Sequence, residues 1–230
     1  MIKDLGGVPS LVTAAGGANV VGYPINGIWS RRVVSADRDA NGFATNVKCD
    51  SLGLAKVACT AAPFEFLGTQ TPSTTGSLSN TLTVGPLRLF ALVDFKRGFI
   101  QQSTTELLRC SGAIGVGECR ANYFPQEYNV LYEAEATIAS LTQNIQDQFF
   151  RSGNFVKLRE ISATYDVPAR FRRGLSRTSV TFAARELHTW TSWPGLDPEA
   201  FLVTETTITR SDQAVTPPLM RLIGTVNIAW

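Results

Sequence analysis

Residues 221–230 read RLIGTVNIAW, and the chain stops there on an indole. In an extended strand successive side chains point to opposite faces, so Met220, Leu222, Gly224, Val226, Ile228 and Trp230 share one side. Arg221, Ile223, Thr225, Asn227 and Ala229 share the other. The first side carries no charge. Such a strand fits a soluble sandwich, with its apolar face in a core, or a membrane barrel, with that face on lipid and the polar face on a lumen. Period alone does not separate the two, although a terminal aromatic is unlike the polar, frayed ends usual in soluble domains.

Working upstream, the same alternation recurs. Residues 75–84, TGSLSNTLTV, place Leu78, Leu82 and Val84 on one face; residues 87–97, LRLFALVDFKR, place Leu87, Leu89, Ala91, Val93 and Phe95 opposite Arg88, Asp94 and Lys96. Only Gly85 and Pro86 lie between them, which predicts a tight hairpin. A second pair spans 154–168 and 177–190, joined by the basic turn ARFRRGLS. There Ile161, Ala163, Tyr165 and Val167 alternate with Glu160, Ser162, Thr164 and Asp166, and Val180, Phe182 and Ala184 alternate with Thr181, Ala183 and Arg185. The connections are unequal: two are short, while 98–153 and 191–219 are long. Antiparallel strands then gather the short turns at one end and the long loops at the other, the asymmetry of bacterial outer-membrane barrels. GIWSRRVV at 27–34 adds a sixth expected strand. Six is below the roughly eight that close a barrel filled by side chains, so the chain reads as part of a barrel.

Composition agrees with this without requiring it. The 230 residues are 44% hydrophobic and carry 21 basic and 19 acidic side chains, too even a balance to point to nucleic acid. No apolar run approaches the roughly 20 residues of a spanning helix. The first residues lack a basic-then-apolar address, so either the chain is cytoplasmic or its true beginning lies upstream, and a partial barrel agrees with the second. Residues 1–26 read as a Gly-rich connecting segment and 27–230 as barrel.

Four cysteines fall in two close pairs, Cys49 with Cys59 and Cys110 with Cys119. Each spacing suits a short disulfide loop in an oxidising compartment; zinc is the rival, but the spacings are long for paired ligands and the single histidine, His188, is remote. Leu131, Ala134, Ile138 and Leu141 recur at helical spacing within the first long loop, suggesting a short helix there. DRDANG at 37–42 begins like a calcium loop, yet position twelve is Lys48 instead of a glutamate, so a polar turn is the better reading. No metal or cofactor is expected. No nucleophile, base or carboxylate pair stands out either, and the expectation is a protein that is not an enzyme.

SGNFVKLREISATYDVP (152–168), then SVTFAARELHTWTSWPGLDPE (179–199) and the aromatic-ended final strand, resemble the C-terminal barrel of the SusC/RagA family of TonB-dependent outer-membrane receptors. That family has a phrase like F-x-(R/K)-L-(R/K)-x-(I/L/V)-x-(L/A)-x-Y-x-(L/V)-P on one strand, here Phe155 to Pro168. It has N-L-x-x-W-T-x-Y-x-G-x-D-P-E on the next strand and its loop, here Glu186 to Glu199. Glu186 replaces the usual Asn, and Trp193 the usual Tyr or Phe. GYPINGIW, DRDANG and residues 66–98 also look like the family, so the resemblance covers most of 20–230.

The resemblance implies an all-β, antiparallel up-and-down transmembrane barrel of about 22 strands, of which this is the last part, in a bacterial outer membrane. It implies import of oligosaccharides or other large nutrients, a plug domain, a SusD-like surface lipoprotein as partner, and a TonB complex engaged through an N-terminal region that is missing here. It also implies that Val226, Ile228 and Trp230 form the signal read by the outer-membrane barrel assembly machinery, an unpaired edge offering alternate apolar side chains. Trp190 and Trp193 lie where the strand enters a loop; they suit stacking on a sugar ring or, more commonly, anchoring at the lipid bilayer interface. A soluble β-sandwich carbohydrate-binding module is the competing reading, and a standalone porin would need further strands and a signal peptide.

Overall fold

Five of the six expected strands form one sheet. The computed structural model describes residues 1–14, 16–111, 117–138, 145–171, 174–204, 207–213 and 215–230. Its chain divides into two compact units that interleave along the sequence: 73–97, 153–199 and 216–230 form the sheet unit, and 1–72, 98–152 and 200–215 the other.

The sheet unit comprises β1 (Thr74–Val84), β2 (Leu87–Arg97), β3 (Phe155–Asp166), β4 (Arg177–Thr191) and β5 (Arg221–Ala229). All pairs are antiparallel and each strand lies beside its neighbours in sequence, an up-and-down meander from β1 to β5. The short connections 85–86 and 167–176 lie at one end and the long ones at the other; Arg172 and Arg173 of the basic turn lie outside the described residues. β1 and β5 pair on one side only among the described residues, so the sheet is an open wall and not a closed barrel.

Register aligns the apolar residues into rows. Val84, Leu87, Tyr165, Val180 and Val226 run straight across all five strands, and Leu82, Leu89, Ala163, Phe182 and Gly224 form the next row. This face is uncovered: Phe182 is 69% exposed, Val226 62% and Ile228 52%, so none of the described residues forms a second layer on it as a sandwich would require. Near the loop end Gly76 stands opposite Phe95, and a Cβ there would come within 2.7 Å of the ring, so the phenyl group fills the place of the missing side chain.

Two bulges interrupt the ladder on one line. Leu158 pairs with Val93 and His188, and Glu160 with Leu92 and Arg185. Between those partners β2 has no residue, β3 has Arg159, and β4 has Glu186 and Leu187. Each extra residue shifts the alternation by one. Burial follows the shift: Phe155 and Lys157 are buried before the bulge and Ser162 after it, so odd positions change places with even ones.

The second unit consists of short strands and helices. The expected sixth strand, 27–34, is not in the wall. It is split into Gly27–Ser30, in a sheet with Ser10–Ala14, Gly17–Val20 and Glu65–Thr69, and Val33–Arg38, in a sheet with Ala44–Asp50 and Lys56–Ala58. Burial does not alternate along this stretch, and Arg32 within it is exposed. Ile28 and Ser30 are both inside, Arg31 between the strands donates to the Ala62 carbonyl at 2.9 Å, and Val33 joins the core. A third sheet contains Ile100–Gln102, Phe150–Ser152, Leu202–Thr204 and Thr207–Ser211.

Among the described residues the helices are α1 (Thr104–Cys110), α2 (Arg120–Tyr123) and α3 (Val130–Ile138). The last is the helix expected from Leu131 and Ala134; Leu141 lies outside the described residues. Disulfides join Cys49 to Cys59 and Cys110 to Cys119, each pair with Cα atoms 4.7 Å apart. Each bond sits in its own apolar cluster, and α3 contributes Ala134 to the first and Ala136 to the second. Residues two apart on a helix point about 200° apart, so α3 is buried between the clusters. Its acidic side chains are used as backbone acceptors: Glu133 takes the Ala44 N–H, and Glu135 the Gln148 N–H at 2.8 Å. Burial, with the Asp147 carboxylate beside it, holds Glu135 well above the usual carboxylate range. In the 37–42 segment Asp39 accepts the N–H groups of Asn41 and Phe43 at 2.9 Å, the polar turn expected there.

Replacing Cys49 and Cys59 together by serine should remove about 2–4 kcal/mol from this unit, read as a lower denaturant midpoint and faster proteolysis after Lys56.

Candidate functional site

On the polar side of the sheet, where the long loops depart, seven charged side chains meet. Lys157 is 1% exposed, and an ammonium group at that depth is stable only if it is paired. It is: its Nζ lies 2.8 and 2.7 Å from the two Asp197 carboxylate oxygens and 3.0 Å from Glu199. Arg159, the bulge residue of β3, donates two parallel bonds to Asp94 of β2, both 2.9 Å. It also donates to Glu186 of β4 at 3.0 Å and contacts Glu199. Lys96 of β2 completes the group, 2.8 Å from Glu199. The Phe155 ring lies under both ammonium groups, 5.4 Å from Lys157 and 5.7 Å from Lys96.

The backbone explains why these residues are available together. Lys157 stands directly across from Asp94, and Phe155 from Lys96. Glu186 occupies the second bulge with φ 52°, a left-handed conformation that asparagine tolerates far better than glutamate. The resemblance expects Asn at this position, and the geometry gives the reason. Here the strain of about 1 kcal/mol is offset by the charge pair with Arg159. Asp197 and Glu199 come from the loop after β4, where the Glu199 N–H also donates to Asp197 at 2.7 Å.

The result is a clamp: the loop segment 197–199 is fastened to β2 through Lys96 and to β3 through Lys157 and Arg159, and Arg159 in turn holds Glu186 of β4. Burial pushes the Glu199 carboxyl up, but hydrogen bonds from Lys96, Arg159 and Lys157 outweigh it and hold it at about 2. Three cations face four anions with every one engaged, so the cluster holds a loop and has no open coordination. Among the described residues no group of His, Cys, Asp and Glu side chains is arranged to hold a metal ion.

The remaining candidates separate. Trp190 is 52% exposed and packs edge-on against His188 at 4.5 Å, whereas Trp193 is buried and its ring offers no free face in this arrangement. Val226, Ile228 and Trp230 stand on the uncovered apolar side of the edge strand β5, Trp230 almost fully exposed. At the short-turn end of the polar face a recess of about 390 Å³ is lined by Arg88, Asp166, Arg177, Thr181 and Asn227, with Asp166 between the two guanidinium groups at 3.4 and 3.5 Å. The clamp residues other than Glu186 were not singled out by sequence reasoning. Their signal was present, because Lys157 and Arg159 lie in one of the two phrases that carry the family resemblance, and Asp197 and Glu199 in the other.

The chain is thus all-β, an open wall of antiparallel strands with one apolar and one charged face. No protein-family model and no curated protein matches it. It is similar in fold to solved structures of the RagAB peptide importer in its open-open state (TM-score 0.73, 16% identity) and closed-closed state (0.66, 17%), and of the RagAB peptide transporter (0.70, 17%). These likenesses cover 99–100% of this chain and 25% of the solved chains, so it spans about a quarter of their length.

Lys157→Met alone should strand Asp197 and cost about 3–5 kcal/mol, seen as lost hydrogen-exchange protection across 192–199, and Lys157→Met with Asp197→Leu should recover much of it. Because the Glu199 pKa is depressed on folding, its contribution is complete above the unfolded value near 4.5 and is lost as pH falls through about 2. Loop protection should therefore hold from pH 7 to about 5 and decline below, a decline that Glu199→Gln removes.

Proposed function

We propose that this chain is the C-terminal barrel portion of a SusC/RagA-family TonB-dependent transporter in a bacterial outer membrane, importing oligosaccharides or other large nutrients. Peptides are included because the solved structures it resembles are named peptide importers. The observation that carries this reading is the uncovered apolar face. Its rows are bounded by Tyr165 and Trp230 toward the short turns and by Phe95 and Trp190 toward the loops. Val156, paired with Phe95 and Trp190, stands about 30 Å from Tyr165 along β3 at 3.3 Å per residue. A strand tilt of about 40° brings that to roughly 23 Å, close to the apolar band of an outer-membrane barrel with its aromatic girdles.

The charged face then lines a wet passage. Transport is gated passage with no covalent chemistry by these residues. The plug and the contact with the TonB complex belong to the N-terminal part of such a receptor, and a SusD-like lipoprotein is its surface partner. β5 presents Val226, Ile228 and Trp230 to the barrel assembly machinery through its free edge.

Nitroxide labels on single cysteines in the intact, bilayer-reconstituted protein test the assignment of faces. Labels at Phe182 and Val226 should collide with dissolved oxygen, and labels at the neighbouring Thr181 and Thr225 with a water-soluble nickel chelate. Absence of that alternation would sink the reading.

A further inference from the structure

In the second unit, α3 and the segment 145–149 run through the same two apolar clusters. Ala134 and Ile145 belong to the cluster around the Cys49–Cys59 bond, and Ala136 and Phe149 to the one around Cys110–Cys119. Between them, at the seam, each segment carries one carboxyl group, Glu135 and Asp147. Glu135 is fully buried. Asp147 and the Arg151 guanidinium are the charged groups that face it, and Arg151 makes no ion pair with it, lying over the Tyr132 ring at 5.8 Å. On the other elements packed against α3, Arg38 donates to the Pro125 and Tyr128 carbonyls beside Glu133, and Glu106 accepts the Tyr132 hydroxyl at 2.6 Å. A carboxylate left without a cation at that depth costs several kcal/mol, and the usual escape is the neutral acid. Its Oε2 accepts the Gln148 N–H at 2.8 Å, whereas its Oε1 is buried with no hydrogen-bond donor among the described residues. Asp147 accepts the Val33 N–H at 3.2 Å and the Gln148 side-chain amide at 3.3 Å. A proton on Oε1 meets both needs at once: it removes the buried charge and turns an unused acceptor into a donor toward Asp147.

We propose that Glu135 shares a proton with Asp147 and that this proton is a latch: it ties α3 to the segment 145–149 and, through Asp147, to the strand at Val33, and its loss as pH rises opens the seam between the two clusters. The latch does not depend on the transporter reading. It solves by protonation the difficulty that Lys157 in the sheet unit solves by opposite charge, and its pH dependence has the opposite sign. Burial and the neighbouring Asp147 raise the Glu135 carboxyl on folding, so its contribution is complete below the unfolded value near 4.5 and is lost as pH rises through the raised one.

Hydrogen exchange of the intact protein, resolved by peptide and corrected for the intrinsic rate at each pH, tests this. In wild type, protection across 145–152 should fall at least about tenfold between about pH 5 and pH 9, against the direction expected at 192–199. Glu135→Gln keeps an acceptor for the Gln148 N–H and replaces the proton by an amide donor that does not titrate, so its protection there should stay level over the whole range. The proton itself is read as an infrared carboxylic-acid carbonyl band, present in wild type at about pH 7 and missing from Glu135→Gln. The wild-type titration also decides without any variant, because the band and the protection should disappear together. Protection across 145–152 that is level in wild type, or that falls equally in Glu135→Gln, overturns the latch. A wild-type protein with no such band at about pH 7 overturns the shared proton.

Discussion

A strand cannot choose where its side chains go: alternate residues take opposite sides, and register decides which of them line up across a sheet. In the five-stranded wall that constraint collects Leu82, Leu89, Ala163 and Phe182 on one surface and Arg88, Asp94, Glu160 and Arg185 on the other. An apolar surface of this extent with nothing packed on it is not stable against water. Hydrocarbon against that surface, as proposed above, would account for the aromatic borders, the short turns at one end, and the charges gathered on the opposite face and toward the loops.

Charge on the opposite face brings its own difficulty. A buried ammonium such as Lys157 costs several kcal/mol unless it is compensated, and a loop provides the compensation by folding back with Asp197 and Glu199. The two phrases that carry the family resemblance are therefore physically one object, the cationic half on a strand and the anionic half on the loop after the next strand. Arg159 reaches three carboxylates because a bulge places it off the regular alternation, and Glu186 meets it because a second bulge does the same one strand further.

The wall was legible because period two is a strong signal when one face is apolar and the other polar; strand boundaries agree to within a residue or two. The helix Val130–Ile138 was legible for the corresponding reason at period 3.6. Residues 27–34 were misjudged because burial there does not alternate, and a core strand then looks like a wall strand. The clamp was hidden by distance: Lys157 and Asp197 lie forty positions apart, and nothing local marks a lysine that will be buried. The phase change at Arg159 was equally hidden, since one inserted residue looks like ordinary variation until its partners on both neighbouring strands are known.

Between the same two rows of the ladder β2, β3 and β4 contain zero, one and two extra residues in turn. Each insertion lengthens one strand against the strand before it, so above that line their ends rise like steps of a stair. In a closed cylinder such steps add to the stagger that sets how far strands lean from the axis.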